Sequence, residues 1–172
     1  MEKVILVSEH DEPIGEMEKI EAHEKGLLHR AFSVFIFNSN GELLLQQRAL
    51  DKYHSGGLWT NTCCSHPRPN EKTIDAAKRR LMEEMGLEAL IEPLFSFTYK
   101  ANFENNLIEH EFDHVFSGIT DQIPLINEVE VASWKYISIE NLILDMESSP
   151  ENYTAWFKII FSQYKKEISR IG

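Results

Sequence analysis

Short apolar runs separated by turn residues dominate this chain and predict a strand-rich fold. Residues 31–37 form a continuous run of aromatic and β-branched residues, which indicates a buried strand. The turn at 38–41 and the segment 42–48 then predict a return strand, so that the two form a hairpin. Similar patterns predict further strands over residues 1–8, 13–16, 93–101, 108–118 and 129–137.

Four segments with helical features lie between and after these strands. Residues 18–25 and 71–85 predict two helices, each followed by a glycine that accepts the left-handed backbone conformation. Farther along, Ser138 is placed to cap a third helix, and the last helix begins at Asn152 or Thr154. This order of elements predicts the α/β class, as an α/β/α sandwich around a mixed sheet.

Composition narrows the class of protein without identifying it. The 172 residues are 42% hydrophobic and 26% charged, which is typical of one globular domain spanning residues 1–172. A formal net charge of -11 argues against a nucleic-acid partner. No apolar run reaches the roughly 18 residues that a membrane span needs, and the N-terminus lacks a secretion signal. We therefore expect a cytoplasmic protein with no membrane partner, and the oligomeric state stays open.

Two adjacent cysteines, Cys63 and Cys64, are the only ones in the chain. A disulfide between neighbours is strained and closes no useful loop, so both are expected to be free thiols in a reducing compartment. We expect Cys63 to be an inert core residue. Cys64 precedes Ser65, His66 and Pro67, and we expect it to be functional.

The predicted strand at 108–118 concentrates acidic residues on one face. Glu109, Glu111 and Asp113 alternate with other residues, and side chains two apart on a strand point the same way. Isolated histidines are more often structural than metal ligands, and four of the seven are interpreted as structural: His10, His54, His110 and His114.

The segment from Ser65 to Leu87 carries a spaced acidic motif. It resembles the Nudix superfamily pattern of Gly, five residues, Glu, seven residues, then Arg-Glu-apolar-x-Glu-Glu-x-Gly-apolar. The matching residues are Glu71, Arg79, Leu81, Glu83, Glu84, Gly86 and Leu87. Carboxylates on such a helix hold Mg²⁺, which bridges diphosphate oxygens. Ser65 replaces the leading glycine, and Arg80 stands where the hydrolases have a glutamate, which favours diphosphate binding over hydrolysis.

A wider set of segments points to one branch of that superfamily. Residues 26–35, 47–52, 59–67 and 109–112 together resemble the type 1 isopentenyl-diphosphate isomerases, and the resemblance extends from about residue 19 to residue 156. It implies a Nudix fold and a 1,3-proton shift. In that reaction, isopentenyl diphosphate becomes dimethylallyl diphosphate through a tertiary carbocation, which requires an acid and a base.

The resemblance also implies roles for individual residues. One divalent metal, Mg²⁺, Mn²⁺ or Zn²⁺, is expected at His23, His29, His66, Glu109 and Glu111. Glu84 is expected to share Mg²⁺ with the diphosphate, which basic residues grip: Lys19, Arg48, Lys52 and Arg80. The remaining roles are acid/base for Cys64 and Glu111, proton relay for Tyr99, and an aromatic face toward the cation for Trp156. The six-residue step from His23 to His29 is one shorter than in some members.

Two other functions compete with isomerisation. A Nudix diphosphohydrolase acting on a nucleoside diphosphate derivative would release phosphate or a monophosphate. A non-catalytic binding module is a second alternative, because a fold does not fix a function. Arg80 argues against the hydrolase, and the combined His, Glu and Cys set argues against the binding module. Which of Cys64 and Glu111 delivers the proton stays open.

Overall fold

The structure is a computed structural model that describes residues 2–103 and 105–171. This part of the chain forms one nine-stranded mixed sheet with four α-helices. Its elements are β1 (Lys3–Val7), β2 (Pro13–Glu18), α1 (Lys19–Lys25), β3 (His29–Phe37), β4 (Leu43–Arg48), β5 (Trp59–Thr60), β6 (Cys63–Ser65), α2 (Thr73–Met85), β7 (Ile91–Asn102), β8 (Ile108–Ile119), β9 (Val131–Ile137), α3 (Ile139–Ser148), a 3₁₀ turn (Pro150–Asn152) and α4 (Ala155–Ser169).

Strand β3 is the centre of the sheet. Along one edge it pairs in parallel with β8, from His29 opposite Glu111 to Phe37 opposite Ile119. It also pairs antiparallel with β1 at its start, with β6 in its middle and with β4 at its end. The predicted hairpin of β3 and β4 is therefore wrong beyond its turn, because β6 takes the place beside β3 and β4 pairs instead with β9 and β5.

Alternate side chains of β3 enter two different cores. Phe35 and Phe37 pack with residues of α3 and α4, including Phe157. Val34 and Ile36 pack on the other face with residues of α2. Helices thus cover both faces of a mixed sheet, which confirms the predicted α/β/α sandwich. Among the described helices none is long and apolar enough to span a membrane.

The helix ends follow local backbone chemistry. Gly26 and Gly86 end α1 and α2 with φ of 60° and 63°, as predicted. At Gly86 an added Cβ would lie 2.5 Å from the main-chain oxygen of Leu125, so that contact also requires a glycine. Helix α2 starts at Thr73 rather than at residue 71, because the backbone of Lys72 is extended, with φ of -68° and ψ of 138°.

Candidate active site

A single pocket collects almost all of the residues that the sequence predicts for the site. Twelve of the thirteen line it, and His29 does not, although its Nε2 atom is 3.3 Å from that of the lining residue His66. The twelve are Lys19, His23, Arg48, Lys52, Cys64, His66, Arg80, Glu84, Tyr99, Glu109, Glu111 and Trp156.

Four buried side chains form the histidine–glutamate cluster: His23, His29, His66 and Glu111. One potential ligand atom from each lies within 4.8 Å of all the others. The Nε2 atom of His66 is 3.0 Å from Oε1 of Glu111, and that of His29 is 3.6 Å from the same oxygen. The parallel pairing of β3 with β8 produces this contact, because it sets His29 directly opposite Glu111.

The tautomers of two histidines are fixed by main-chain carbonyls. Nδ1 of His23 donates to the oxygen of Lys19 at 2.7 Å, and Nδ1 of His29 donates to the oxygen of Leu27 at 2.8 Å. Because a carbonyl only accepts, each Nε2 carries a lone pair. Nε2 of His23 is buried and has no hydrogen-bond partner among the described residues. The Nε2 atoms and the carboxylate of Glu111 therefore fit a divalent cation. The Nδ1 atoms of His23 and His29 bind main-chain carbonyls, as the second ring nitrogen of a metal-ligating histidine commonly does.

Burial keeps two of these imidazoles in the form that binds metals. It lowers the pKa of His66 to about 4, although Glu111 opposes that shift. Burial, assisted by His29, also lowers the pKa of His23. Both rings are therefore neutral near pH 7, as metal ligation requires.

Glu109 lies beside the cluster rather than within it. The Tyr99 hydroxyl oxygen is 2.6 Å from Oε2 of Glu111 and 3.1 Å from Oε2 of Glu109. Burial and the charge of Glu111 raise the pKa of Glu109. Burial works in the same direction at Glu111, but the hydrogen bond to His66 and the nearby ring of His29 outweigh it and hold that pKa below its usual value. The single O–H of Tyr99 is thus placed to donate to either carboxylate, and Glu111 is the nearer acceptor.

The two cysteines face opposite sides of β6. Cys63 is fully buried in the core under α2, as predicted. Cys64 lies on the other side and lines the pocket. Burial raises the pKa of the Cys64 thiol, and the nearby Arg48 only partly offsets this. The thiol is thus protonated near pH 7 and can act as an acid.

The four basic residues that were predicted to bind the diphosphate all line the pocket, and three of them already contact carboxylates. Lys19 pairs with Glu2 at 3.2 Å, and Lys52 pairs with Glu130. Arg80 contacts a group of carboxylates, at 2.9 Å from Glu83, 2.6 Å from Glu84 and 3.3 Å from Glu130. Arg48 instead donates to the main-chain oxygen of His54 at 3.3 Å, and its Nε is buried without a partner in the described structure.

Two glutamates of the Nudix-type motif have different surroundings. Glu84 is buried in the pocket wall, where its oxygens accept from Arg80 and, at 2.9 Å, from Gln46. Glu71 instead accepts two bonds from Arg79, at 2.7 and 2.8 Å, and does not line the pocket. In this chain Glu71 connects the loop before α2 to the helix.

The structure brings His54, interpreted above as structural, into the pocket wall. Its Nε2 is 3.7 Å from Oε1 of Glu109, and its ring stacks on Phe103 at 4.9 Å. The ring also meets Trp156 edge-on, with centroids 5.9 Å apart. Burial lowers its pKa to about 3, so the ring is neutral. The only sequence signal was its place two residues after Lys52 in the same loop.

Trp156 connects the two ends of the pocket. The residue is 3% exposed and starts the buried face of α4. The Arg48 guanidinium lies 5.2 Å from its ring centroid, and His54 meets the ring from another direction. The indole of Trp156 therefore lies between Arg48, which is predicted to bind the diphosphate, and His54, which forms the pocket wall beside Glu109.

Comparisons with known proteins identify the family to which this fold and this site belong. Residues 27–157 match the NUDIX domain family. A solved Deinococcus radiodurans protein, DR0079, superposes with a TM-score of 0.71 at 22% identity, covering 86% of this chain and 90% of that one. A MutT protein from Methanosarcina mazei gives 0.67 at 20% identity, with coverages of 81% and 94%. At these identities the likeness concerns the fold alone.

Sequence relatives are more specific. The isopentenyl-diphosphate Delta-isomerase of Pectobacterium atrosepticum is 54% identical, with 98% of each chain covered. The enzyme of the same name from Burkholderia multivorans is also 54% identical, covering 91% of this chain and 89% of its own. This chain belongs to the NUDIX family and, within it, to the isopentenyl-diphosphate Delta-isomerases.

Proposed function

We propose that this pocket converts isopentenyl diphosphate into dimethylallyl diphosphate, with Cys64 and Glu111 as the acid/base pair. The observation that carries the proposal is a half-buried thiol and a buried carboxylate in one pocket, on the two strands that flank β3. Cys64 on β6 pairs with Ser33, and Glu111 on β8 pairs with His29. The family membership of the chain supports the same reaction.

The substrate explains why two such groups are needed. An isolated alkene is a very weak base, and protonating its terminal carbon produces a tertiary carbocation. Loss of a proton from the carbon on the other side of the cationic centre then gives the isomer, so one group must donate and another accept. Cys64 has a proton to donate at neutral pH, because burial raises its pKa and keeps the thiol protonated. Glu111 receives or returns a proton through Tyr99 and Glu109, to which it is hydrogen-bonded in series.

The carbocation requires stabilisation and protection from water. The face of Trp156 provides negative electrostatic potential, worth about 2 kcal/mol when desolvated. A stabilisation of that size increases the rate by roughly thirtyfold. Helix α4 also closes the pocket on this side, because Trp156 and Phe157 are buried in the core. Exclusion of water prevents capture of the cation as an alcohol.

Divalent metals complete the proposed site. His23, His29, His66 and Glu111 would hold one ion, with Glu109 beside them, and Mg²⁺, Mn²⁺ and Zn²⁺ all accept this mixture of nitrogen and oxygen donors. When bound, that ion supplies positive charge that makes an attached or neighbouring proton more acidic. Mg²⁺ on the diphosphate would be shared with Glu84, whose carboxylate lies in the pocket wall.

The biological setting is also a proposal. We infer that residues 1–172 act as one catalytic domain, because β1 pairs with the central strand β3 and so joins the N-terminal hairpin to the NUDIX region. The substrate would be a small molecule, isopentenyl diphosphate, without nucleic acid or membrane partners. Free thiols at Cys63 and Cys64 suit a reducing compartment, which we propose is the cytoplasm.

Proton and phosphorus NMR of the purified protein with isopentenyl diphosphate and Mg²⁺ tests this function. We expect the alkene signals to change to those of dimethylallyl diphosphate while both phosphorus signals persist. Cys64→Ala should be inactive, whereas the neighbouring Cys63→Ala, on the opposite side of β6, should retain activity. Release of phosphate with an unchanged alkene would instead establish a hydrolase.

A further inference from the structure

Glu130 contacts two of the four residues that are predicted to bind the diphosphate, Lys52 and Arg80. Its Oε2 atom accepts from Nζ of Lys52 and lies 3.3 Å from Nη2 of Arg80. Lys52 follows β4, whereas Arg80 belongs to α2, so this carboxylate joins two separate parts of the wall. Glu130 also lines the pocket itself.

The main chain fixes Glu130 in this place. The carbonyl oxygen of Glu130 accepts from the N–H of Ala49 at 3.0 Å, just after β4. Its N–H donates to Asn127 at 2.9 Å, and the N–H of Asn127 donates to the oxygen of Glu84 at 2.9 Å. Glu130 is therefore attached both to the end of α2 and to the segment that leads to Lys52. These main-chain hydrogen bonds hold Glu130 beside Lys52 and Arg80, so the contact is part of the fold.

The charges at this end of the pocket are already compensated. Arg80 lies within 3.3 Å of carboxylate oxygens from Glu83, Glu84 and Glu130. The ion pairs with Lys52 and Arg80 outweigh the burial of Glu130 and lower its pKa, so it is ionised at neutral pH. A cation that is already paired with a carboxylate binds a second anion only if that carboxylate moves away or shares the cation with it.

We propose that Glu130 is an internal counter-anion whose carboxylate occupies, between Lys52 and Arg80, the position that a diphosphate oxygen of the substrate takes. This inference rests on the proposed function, since it assumes that the pocket binds a diphosphate. Binding then exchanges one anion for another, and Glu130 weakens the affinity for substrate and product alike. Weaker product binding favours release, which limits turnover in many enzymes.

Calorimetric titration with inorganic pyrophosphate at a fixed Mg²⁺ concentration tests the inference. Glu130→Gln keeps the size of the side chain and an oxygen acceptor for Lys52, but it removes the charge. We expect pyrophosphate to bind about fivefold more tightly or better, because one repulsive charge is lost next to a partly buried anion site. The KM for isopentenyl diphosphate should fall by a similar factor, without a rise in kcat.

Glu128→Gln is the matched control. It removes the same charge from the same turn, but Glu128 is exposed and makes no ion pair with any residue in 2–103 or 105–171. We expect its affinity to stay within about a factor of two, because solvent screens an exposed charge. An equal gain in both variants would overturn the inference, since it would reflect total charge alone.

Weaker pyrophosphate binding by Glu130→Gln would also overturn it, because Glu130 would then organise the cations instead of competing for them. Thermal unfolding checks that the variant folds, and Glu130→Ala provides a second variant with the same expected direction. Pyrophosphate binding does not depend on turnover. The two proposals can therefore fail separately. If Glu130→Gln binds pyrophosphate more tightly but the wild-type protein never isomerises the substrate, the proposed reaction is refuted and this inference stands.

Discussion

The two ends of the pocket are built on opposite principles. Main-chain carbonyls orient two rings of the histidine–glutamate cluster, and Nε2 of His23 has no hydrogen-bond partner in the described part of the chain. At the other end, three of the four basic residues predicted to bind the diphosphate already contact carboxylates, and Arg80 alone contacts three carboxylates. The histidine–glutamate cluster is preorganised for a ligand. The basic residues, in contrast, must give up contacts with carboxylates before they can bind an anion.

This difference separates the expected effects of mutations. Rigid, buried groups act on the chemical step or on metal binding, so their loss should affect kcat and metal affinity. The compensated charges that line the pocket act on substrate binding, so their loss should mainly change KM.

The largest effect should come from Glu111→Gln, which keeps the shape of the side chain but removes the base and the charge that faces His29 and His66. We expect kcat to fall by about a thousandfold, near the middle of the range for acid/base groups. The measurement is the initial rate of isomerisation. Glu92→Gln, an exposed substitution on β7, should keep full activity. Turnover near the wild-type rate in Glu111→Gln would remove this residue from the acid/base pair.

A smaller effect should follow from His23→Ala, which deletes the unpartnered Nε2 of the cluster. We expect affinity for Mn²⁺ or Zn²⁺ to fall by about ten- to a hundredfold, comparable with the loss of a well-ordered metal-site residue. Competitive titration against a chelating dye measures it. His10→Ala is the control, because that histidine is exposed and outside the cluster. Equal metal affinity in both variants would contradict the proposed ligand set.

Arg80→Glu should act at the other end of the pocket. A fourth carboxylate would then join Glu83, Glu84 and Glu130, and we expect KM for the diphosphate substrate to rise by roughly tenfold or more, with a smaller change in kcat. The exposed Arg68→Glu makes the same charge change and should raise KM much less. If pyrophosphate affinity in Arg80→Glu equals that of the wild type, Arg80 is not part of the clamp.

The smallest effect on turnover should come from Asp113→Asn, which tests the electrostatics behind the cluster. Burial and the charge of Glu111 raise the pKa of Asp113 to about 8, while Ser33 donates to it at 2.8 Å. A carboxyl with a raised folded-state pKa stabilises the fold at low pH and loses that contribution as pH rises. In metal-free protein we expect wild-type stability to fall between about pH 4 and 8, by on the order of 5 kcal/mol from this group, since each pKa unit corresponds to about 1.4 kcal/mol.

Denaturant unfolding at several pH values measures this dependence. The Asp113→Asn variant should have a flatter profile, and its advantage over the wild type should grow toward pH 8. Parallel profiles for the two proteins would show that Asp113 is ionised throughout this range.

The acidic face of β8 could be predicted from sequence because alternation in a strand is purely local. Glu109, Glu111 and Asp113 are all buried on that face. The place of Glu130 could not be predicted in this way, because it depends on the turn at Asn127 binding to the end of α2. His54 was missed for a similar reason, since its position depends on contacts of its ring with Phe103 and Trp156.

The sheet shows the same limit. Residues 31–48 have the pattern of a hairpin, and the turn forms as expected. The strand that inserts beside β3 is β6, however, and it comes from fifteen residues beyond Arg48 in the chain, at Cys63. No local pattern encodes that insertion, although it is what brings Cys64 into the same pocket as Glu111.

The most direct test of the central claim is the reaction in D₂O, followed by proton NMR. A protonation–deprotonation mechanism through Cys64 and Glu111 predicts deuterium in the newly formed methyl group of dimethylallyl diphosphate, with both phosphates intact. Product that forms without taking up deuterium would contradict solvent-exchangeable acid/base groups. No change in the alkene at all would contradict the isomerase function itself.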